Sequence, residues 1–158
     1  MLTQLKNAQA RGFAEVVLPF SKMKFDIAKI LKEKKFINEV EKRKRKTKKS
    51  EFDTLAIVLK YENGAGSITD IKMVSKPSRR MYSGKEELRQ VKNGYGISVI
   101  STSKGIMTGG DAKKAGVGGE MLFEIWKVFN MSRIGKKTIK IPVGVEVNID
   151  GSRVRVKG

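Results

Sequence analysis

The 158 residues include no cysteine and no histidine, three prolines and a single tryptophan. Without thiols there is no disulfide framework and no thiolate metal site. Without imidazole the commonest general base and the commonest zinc ligand are both missing. Acids are scarce too: Asp+Glu is 16 against Lys+Arg 34, which gives a net charge of +18 and a pI near 10.2. They are scattered, with no paired carboxylates and no metal cluster. No run approaches the ~18 apolar residues that a spanning helix needs. No charged, then apolar, then small-residue leader opens the chain. The expectation is an intracellular, cytoplasmic protein with no membrane partner, no cofactor, no metal and no catalytic residues.

Positive charge and alternating apolar patterns are what the chain does have. At 39% hydrophobic it can bury a core, and its length suits one ordinary domain or two small ones. A charge this large repels itself unless a polyanion lies against it, and nucleic acid and an anionic membrane surface both qualify. The charge peaks at 41–49, Glu-Lys-Arg-Lys-Arg-Lys-Thr-Lys-Lys, with seven cations and one acid. As a free loop that run would be mobile; it reads as a nucleic-acid clamp, a membrane patch or a solvated hairpin tip. No large apolar residue interleaves it, which disfavours membrane insertion and favours phosphate contact.

In chain order, Leu2–Arg11 reads as a helix ended by Gly12, with polar Lys6, Asn7 and Arg11 facing either solvent or phosphates. Glu15–Leu18 is a short strand closed by Pro19. Ser21 is placed as the N-cap of a second helix, with Met23, Ile27, Ile30 and Leu31 as its apolar stripe. Ile37–Val40 starts a strand. Asp53–Tyr61 alternates, with Leu55, Ile57, Leu59 and Tyr61 on one face. After a turn at Asn63–Gly66, Ile68–Val74 is expected as its antiparallel partner. This closes a first α/β unit, 1–74, patterned α-β-α-β-β. A second unit, 75–126, reads as β-rich with short helices, so the fold class is α+β.

Ser75-Lys76-Pro77-Ser78-Arg79-Arg80-Met81-Tyr82 links the units. It reads equally as a polar linker or as a platform for phosphate and base contact. Ser83–Glu86 resembles a capping box opening a short helix to Gln90, and Thr108–Asp111 resembles another, with its helix ended by Gly116. Gly118-Gly119 feeds Glu120–Trp126, apolar on both faces as a buried strand would be.

The organising stretch is Gly94–Thr108, GYGISVISTSKGIMT. A strand runs into Ser101-Thr102-Ser103-Lys104-Gly105, a polar turn with three consecutive hydroxyls, a cation, and a glycine free to take φ > 0. Taken alone, such a turn more often satisfies itself. In this basic setting it reads as a rigid loop that offers hydroxyls, amides and one charge to a polyanion.

Enzyme motifs fail on inspection. Ser101–Lys104 fits Ser-x-x-Lys but lacks the companion motifs of acyl-serine enzymes. Gly94-Tyr95-Gly96 lacks the third glycine of a dinucleotide loop, and there is no Walker-type Gly-Lys-Ser/Thr.

The motifs SKPSRRMY (75–82), GYGISVISTSKGIMT (94–108) and GVGGEMLFEIW (116–126), in that order and spacing, closely resemble bacterial small-subunit ribosomal protein eight. Leu2–Ala8 and Pro19–Ile37 match its amino-terminal part, so the resemblance covers 1–126. It implies two small α/β domains, no enzyme activity, and direct binding to a stem in the central domain of small-subunit rRNA during early assembly. Neighbouring small-subunit proteins would be further partners. Some members also bind a mimic of that stem on their own operon messenger RNA and repress it. The implied RNA-contact residues are Ser101, Thr102, Ser103, Lys104 and Gly105, with Lys76, Pro77, Ser78, Arg79, Arg80 and Tyr82 nearby and Gly118, Gly119 and Glu120 beside the loop. Tyr95, and Lys6, Asn7 and Arg11 on the other domain, complete the set.

Two departures from the family pattern carry expectations. The family usually has several residues before Leu2, so the shortened first helix is expected to fray. Residues 127–158 form a linker and tail, and from Met131 they resemble the opening of large-subunit ribosomal protein six, as a read-through or fused frame would. Val145–Ile149 and Ser152–Val156 flanking Asp150-Gly151 give a hairpin signal. One hairpin is marginal alone, so a poorly ordered tail without function of its own is expected. Residues 131–158 hold seven Lys/Arg and two acids, so residues 1–130 still carry +13.

Overall fold

A computed structural model describes residues 1–47, 50–62, 64–127, 146–150 and 153–157. Helix α1 (Leu2–Ala10) buries Leu5 and Ala8, three apart and therefore on one face. Its end is a Schellman motif. Gly12 takes φ +74, its N–H donates to the Gln9 carbonyl, and the Phe13 N–H donates to that of Ala8. Strand β1 (Glu15–Pro19) follows, then α2 (Lys22–Glu33), which buries Ile27, Ala28, Ile30 and Leu31. One expectation holds in position and one is corrected here. Ser21 occupies the N-cap position but its side chain makes no capping bond. Met23, expected in the apolar stripe, is 47% exposed. Periodicity identifies a helix face; it does not say how far along that face the packing extends.

The basic run is not a loose loop. Strand β2 (Ile37–Thr47) runs through most of it and pairs antiparallel with β3 (Ser50–Leu59), from Ile37 opposite Leu59 to Thr47 opposite Ser50. Residues 48 and 49 lie outside the described set. Carboxylates reduce the self-repulsion that the sequence suggested: Lys42 pairs with Asp53 at 2.8 Å, and Arg43 with Glu15 at 2.6 Å and Glu41 at 2.8 Å. Two of these acids lie on other strands, out of reach of any reading along the run. The order of this sheet is β1-β3-β2, and its middle strand buries Thr54, Leu55, Ala56, Ile57 and Leu59.

The expected partner of β3 at 68–74 goes elsewhere. After the small pair β4 (Tyr61–Glu62) and β5 (Ala65–Gly66), strand β6 (Asp70–Met73) joins a second sheet, opposite Phe123–Trp126. That sheet also holds β7 (Tyr82–Ser83), β8 (Gly96–Thr102), β9 (Gly105–Thr108) and β10 (Gly119–Trp126). Its order is β6-β10-β8-β9, with β7 also on β10. Between β9 and β10 lies α3 (Gly109–Lys114), capped as expected: the Asp111 N–H donates to the Thr108 hydroxyl at 3.2 Å, and that hydroxyl donates to the Asp111 carboxylate at 2.6 Å. The second donation holds the Asp111 carboxyl below its usual range. The helix expected after Ser83 does not form. A turn takes its place, with the Gly84 N–H donating to the Glu87 carboxylate at 3.0 Å, and Leu88 and Val91 then enter the interior from irregular chain.

One apolar cluster draws on both sheets, with Leu5, Leu31 and Leu55 packed in the same set as Val99, Phe123 and Ile125. A smaller cluster of Leu88, Ile100 and Ala112 includes the buried side of α3. Gln9 ties α1 to the approach to β6, its amide donating to the Ile68 carbonyl at 2.8 Å and accepting the Ile68 N–H at 3.2 Å. Lys6 adds a 2.6 Å pair with Asp70.

Met1–Val128 form one compact unit and Phe129–Gly158 another. In the latter, β11 (Glu146–Asp150) pairs antiparallel with β12 (Arg153–Lys157), and Asp150 stands opposite Arg153. The hairpin expected from the sequence is present, two residues out of the anticipated register, with Ile149 opposite Val154.

The shared core makes a testable prediction. Leu31→Ala removes a fully buried side chain at a cost of roughly 2–5 kcal/mol. Urea unfolding followed by the lone tryptophan, Trp126 of the second sheet, should show its midpoint fall by the corresponding amount. A Trp126 transition left in place would mean that the two sheets unfold independently.

Candidate nucleic-acid interface

Strands β8 and β9 close with Thr102 opposite Gly105, so Ser103 and Lys104 are the two loop residues. Gly105 takes φ +109, a conformation a side chain would strain. The Thr102 hydroxyl donates to the Gly105 carbonyl at 2.8 Å and accepts the Lys104 N–H at 3.1 Å. One hydroxyl of the three is thus spent on the turn itself. The hydroxyls of Ser101 and Ser103 make no hydrogen bond among the described residues, and Ser103 and Lys104 are exposed. A turn braced from within presents two unspent hydroxyls and a cation.

The neighbouring strands extend this corner into a row. Tyr82 stands opposite Glu120, Glu120 opposite Ser101, and Ser101 opposite Ile106. Residues directly opposite across antiparallel strands share a face, so Tyr82, Glu120 and Ser101 line one side of the sheet. Tyr82 is 68% exposed. Gly118 and Gly119 serve the row by having no side chain: a Cβ at Gly119 would lie 2.1 Å from the Ser101 carbonyl oxygen, and one at Gly118 would lie 2.5 Å from that of Ser83.

The 75–82 segment docks on the same end. Lys76 and Arg79 exchange backbone hydrogen bonds of 2.9 and 3.0 Å around Pro77-Ser78, which makes the linker a tight turn. Buried Ser75 accepts the Met81 N–H at 2.9 Å, and the Met81 carbonyl accepts the Met121 N–H at 2.8 Å. The Arg80 guanidinium donates to Glu120 at 2.8 Å and holds its carboxyl below the ordinary glutamate range. That pairing is therefore complete at neutral pH and is lost only as pH falls through the depressed value. Arg80 is committed, whereas Lys76 and Arg79 are exposed and form no ion pair among the described residues. The one acid of the row is neutralised, so its end of the sheet remains positive.

Other residues expected at the interface lie elsewhere. Tyr95 precedes the start of β8, where its carbonyl accepts the Lys127 N–H at 3.1 Å. It is six residues from Ser101, roughly 20 Å along an extended strand. Lys6 is paired with Asp70, which stands opposite Trp126 at the far end of β10 from Glu120. Asn7 and Arg11 are exposed on and just after the same helix. The structure gathers Ser101–Gly105, Tyr82, Arg80 and Gly118–Glu120 at one end of the second sheet, with Lys76–Arg79 in the adjoining turn. It does not bring Tyr95, Lys6, Asn7 or Arg11 there. Sequence reasoning missed Ser75 as a brace, because its bond to Met81 exists only once the turn at 77–78 has closed.

A family model described as ribosomal protein S8 matches residues 1–126. The chain belongs to that family. Among its relatives, the small ribosomal subunit protein uS8 of Coxiella burnetii is 46% identical over 122 residues, covering 77% of this chain and 91% of that protein. The one from Nitrosomonas europaea is 45% identical over 122 residues, 77% and 90%. That of Nitratidesulfovibrio vulgaris is 43% identical over 126 residues, 80% and 94%. The ribosomal protein S8 match takes in both large sheets and every residue of the row.

The close approach at Gly119 is open to direct test. Gly119→Ala should cost roughly 1–3 kcal/mol in urea unfolding, because backbone must move to admit the methyl group. Gly84→Ala, where nothing lies within 4 Å, should stay within about 0.5 kcal/mol.

Proposed function

We propose that this chain is a structural constituent of the small ribosomal subunit, placed there in the cytoplasm, and that it binds a central-domain stem of small-subunit rRNA directly, supporting subunit assembly and translation. Neighbouring small-subunit proteins are its other partners, and it performs no catalysis. The observation that carries the reading is the row at the end of the second sheet: unspent hydroxyls on Ser101 and Ser103, an exposed Tyr82, and a net positive rim.

A-form RNA hides its base edges in a deep groove, so proteins read distorted sites through shape, 2′-hydroxyls and stacking. Short hydroxyl side chains on a turn that Thr102 has already closed lose little entropy on contact and can both donate and accept. Lys76, Arg79 and Lys104 hold phosphates without reading sequence. Asn7 and Arg11 supply a second backbone contact about a strand length away. A messenger stem of the same shape would meet the same row, and repression of the chain's own operon would follow as a secondary use. Within this reading residues 131–158 are the opening of a large-subunit protein-six sequence joined on, without a role in binding.

Ser103→Ala should weaken binding to the specific stem by roughly 1–3 kcal/mol while barely changing affinity for a scrambled duplex. Neutralising Lys46 or Lys48 should lower affinity for both RNAs alike and flatten the salt dependence. Salt titrations on the two RNAs check this. If the two substitutions behaved alike on both, hydroxyl reading and charge holding would not be separate functions.

A further inference from the structure

The β2–β3 ribbon outruns its sheet. Strand β1 covers β3 only from Thr54 to Val58, and β3 continues two-stranded with β2 beyond that point. On this overhang Phe52 is 44% exposed, and Arg45 stands directly opposite it. No ring or cation covers Phe52 among the described residues. The cations nearer the sheet are committed. Lys42 is held by Asp53 at 2.8 Å and lies 4.5 Å from the centre of the Phe20 ring, and Arg43 is held by Glu15 and Glu41. Lys44 and Arg45 are exposed and form no ion pair among the described residues.

The ribbon therefore sorts its charges along its length, spent at the sheet and unspent around an open aromatic ring. Cross-strand geometry puts Arg45 on the same face as Phe52, and alternation turns Lys44 to the other side. An exposed ring flanked by free cations is the arrangement that takes single-stranded nucleic acid, with bases stacking on the ring and phosphates meeting the charges. A membrane is a poorer occupant: interfacial anchoring needs an apolar face, and here a single large apolar side chain stands among charges.

We propose that Phe52 is a stacking platform for an unpaired RNA base, with Arg45 meeting the adjoining phosphate and Lys44 a second one. This second contact surface lies in the first sheet and is separate from the Ser101–Gly105 loop. It rests on the chain being an RNA-binding protein and is independent of which stem the loop reads.

The test uses the full chain and two probes, a uridine oligonucleotide carrying one aminopurine and a blunt duplex of the same length. Phe52→Ala should lower affinity for the oligonucleotide roughly fivefold or more and abolish the aminopurine quenching. Duplex affinity should stay within about twofold, since phosphate contacts dominate there. Phe52→Tyr should keep both the affinity and the quenching. Unchanged quenching in Phe52→Ala, or equal losses on the two probes, would overturn the proposal. A wild-type chain that bound neither RNA would instead sink the RNA-binding reading on which it rests.

Discussion

The pairing of β10 with β8 at their loop ends is the contact on which the candidate interface depends. It requires Gly119 to bring its backbone against the Ser101 carbonyl, closer than any side chain permits. Because that approach succeeds, Glu120 falls opposite Ser101, Tyr82 opposite Glu120, and Arg80 within reach of the same carboxylate. Further along, β10 passes an irregularity between Met121 and Phe123 and then buries Leu122, Phe123 and Ile125 in the main core. One strand thus anchors the fold at one end and spaces the interface at the other.

Charge in this protein is divided by position rather than by residue type. Cations near an acid are consumed: Lys6 by Asp70, Lys42 by Asp53, Arg43 by Glu15 and Glu41, Arg80 by Glu120. These pairs are substantially exposed and each contributes little to stability. Their larger effect is to cancel repulsion inside a chain of net charge +18. What remains unspent, including Lys76, Arg79, Lys104, Lys44 and Arg45, is available to a polyanion.

Local chemistry made much of the fold legible. Gly12 ends α1, Thr108 caps α3, and the apolar repeat of α2 finds its core face, because each signal acts within a few residues. The Ser101–Gly105 turn was readable for the same reason, as was the resemblance carried by the motifs around it. Strand partners were not readable. Ile68–Val74 alternates as a partner of β3 should, yet β6 pairs with β10, some fifty positions on, because burial against Phe123 and Ile125 decides it. Charge run against charge run was equally hidden: seven cations in sequence look like a loop until Asp53 and Glu15 are folded beside them. Tyr95 shows the same limit in the other direction: it is near the loop in sequence but a whole strand away from it in space.

The most direct measurement places a photo-crosslinking side chain at position 103 of the full chain and assembles the small ribosomal subunit around it. The account predicts crosslinks from that position to small-subunit rRNA, and a much weaker yield from the same group at position 33, exposed at the end of α2 on the same unit. Position 103 crosslinking only to protein, or staying open to solvent in the assembled particle, would contradict it.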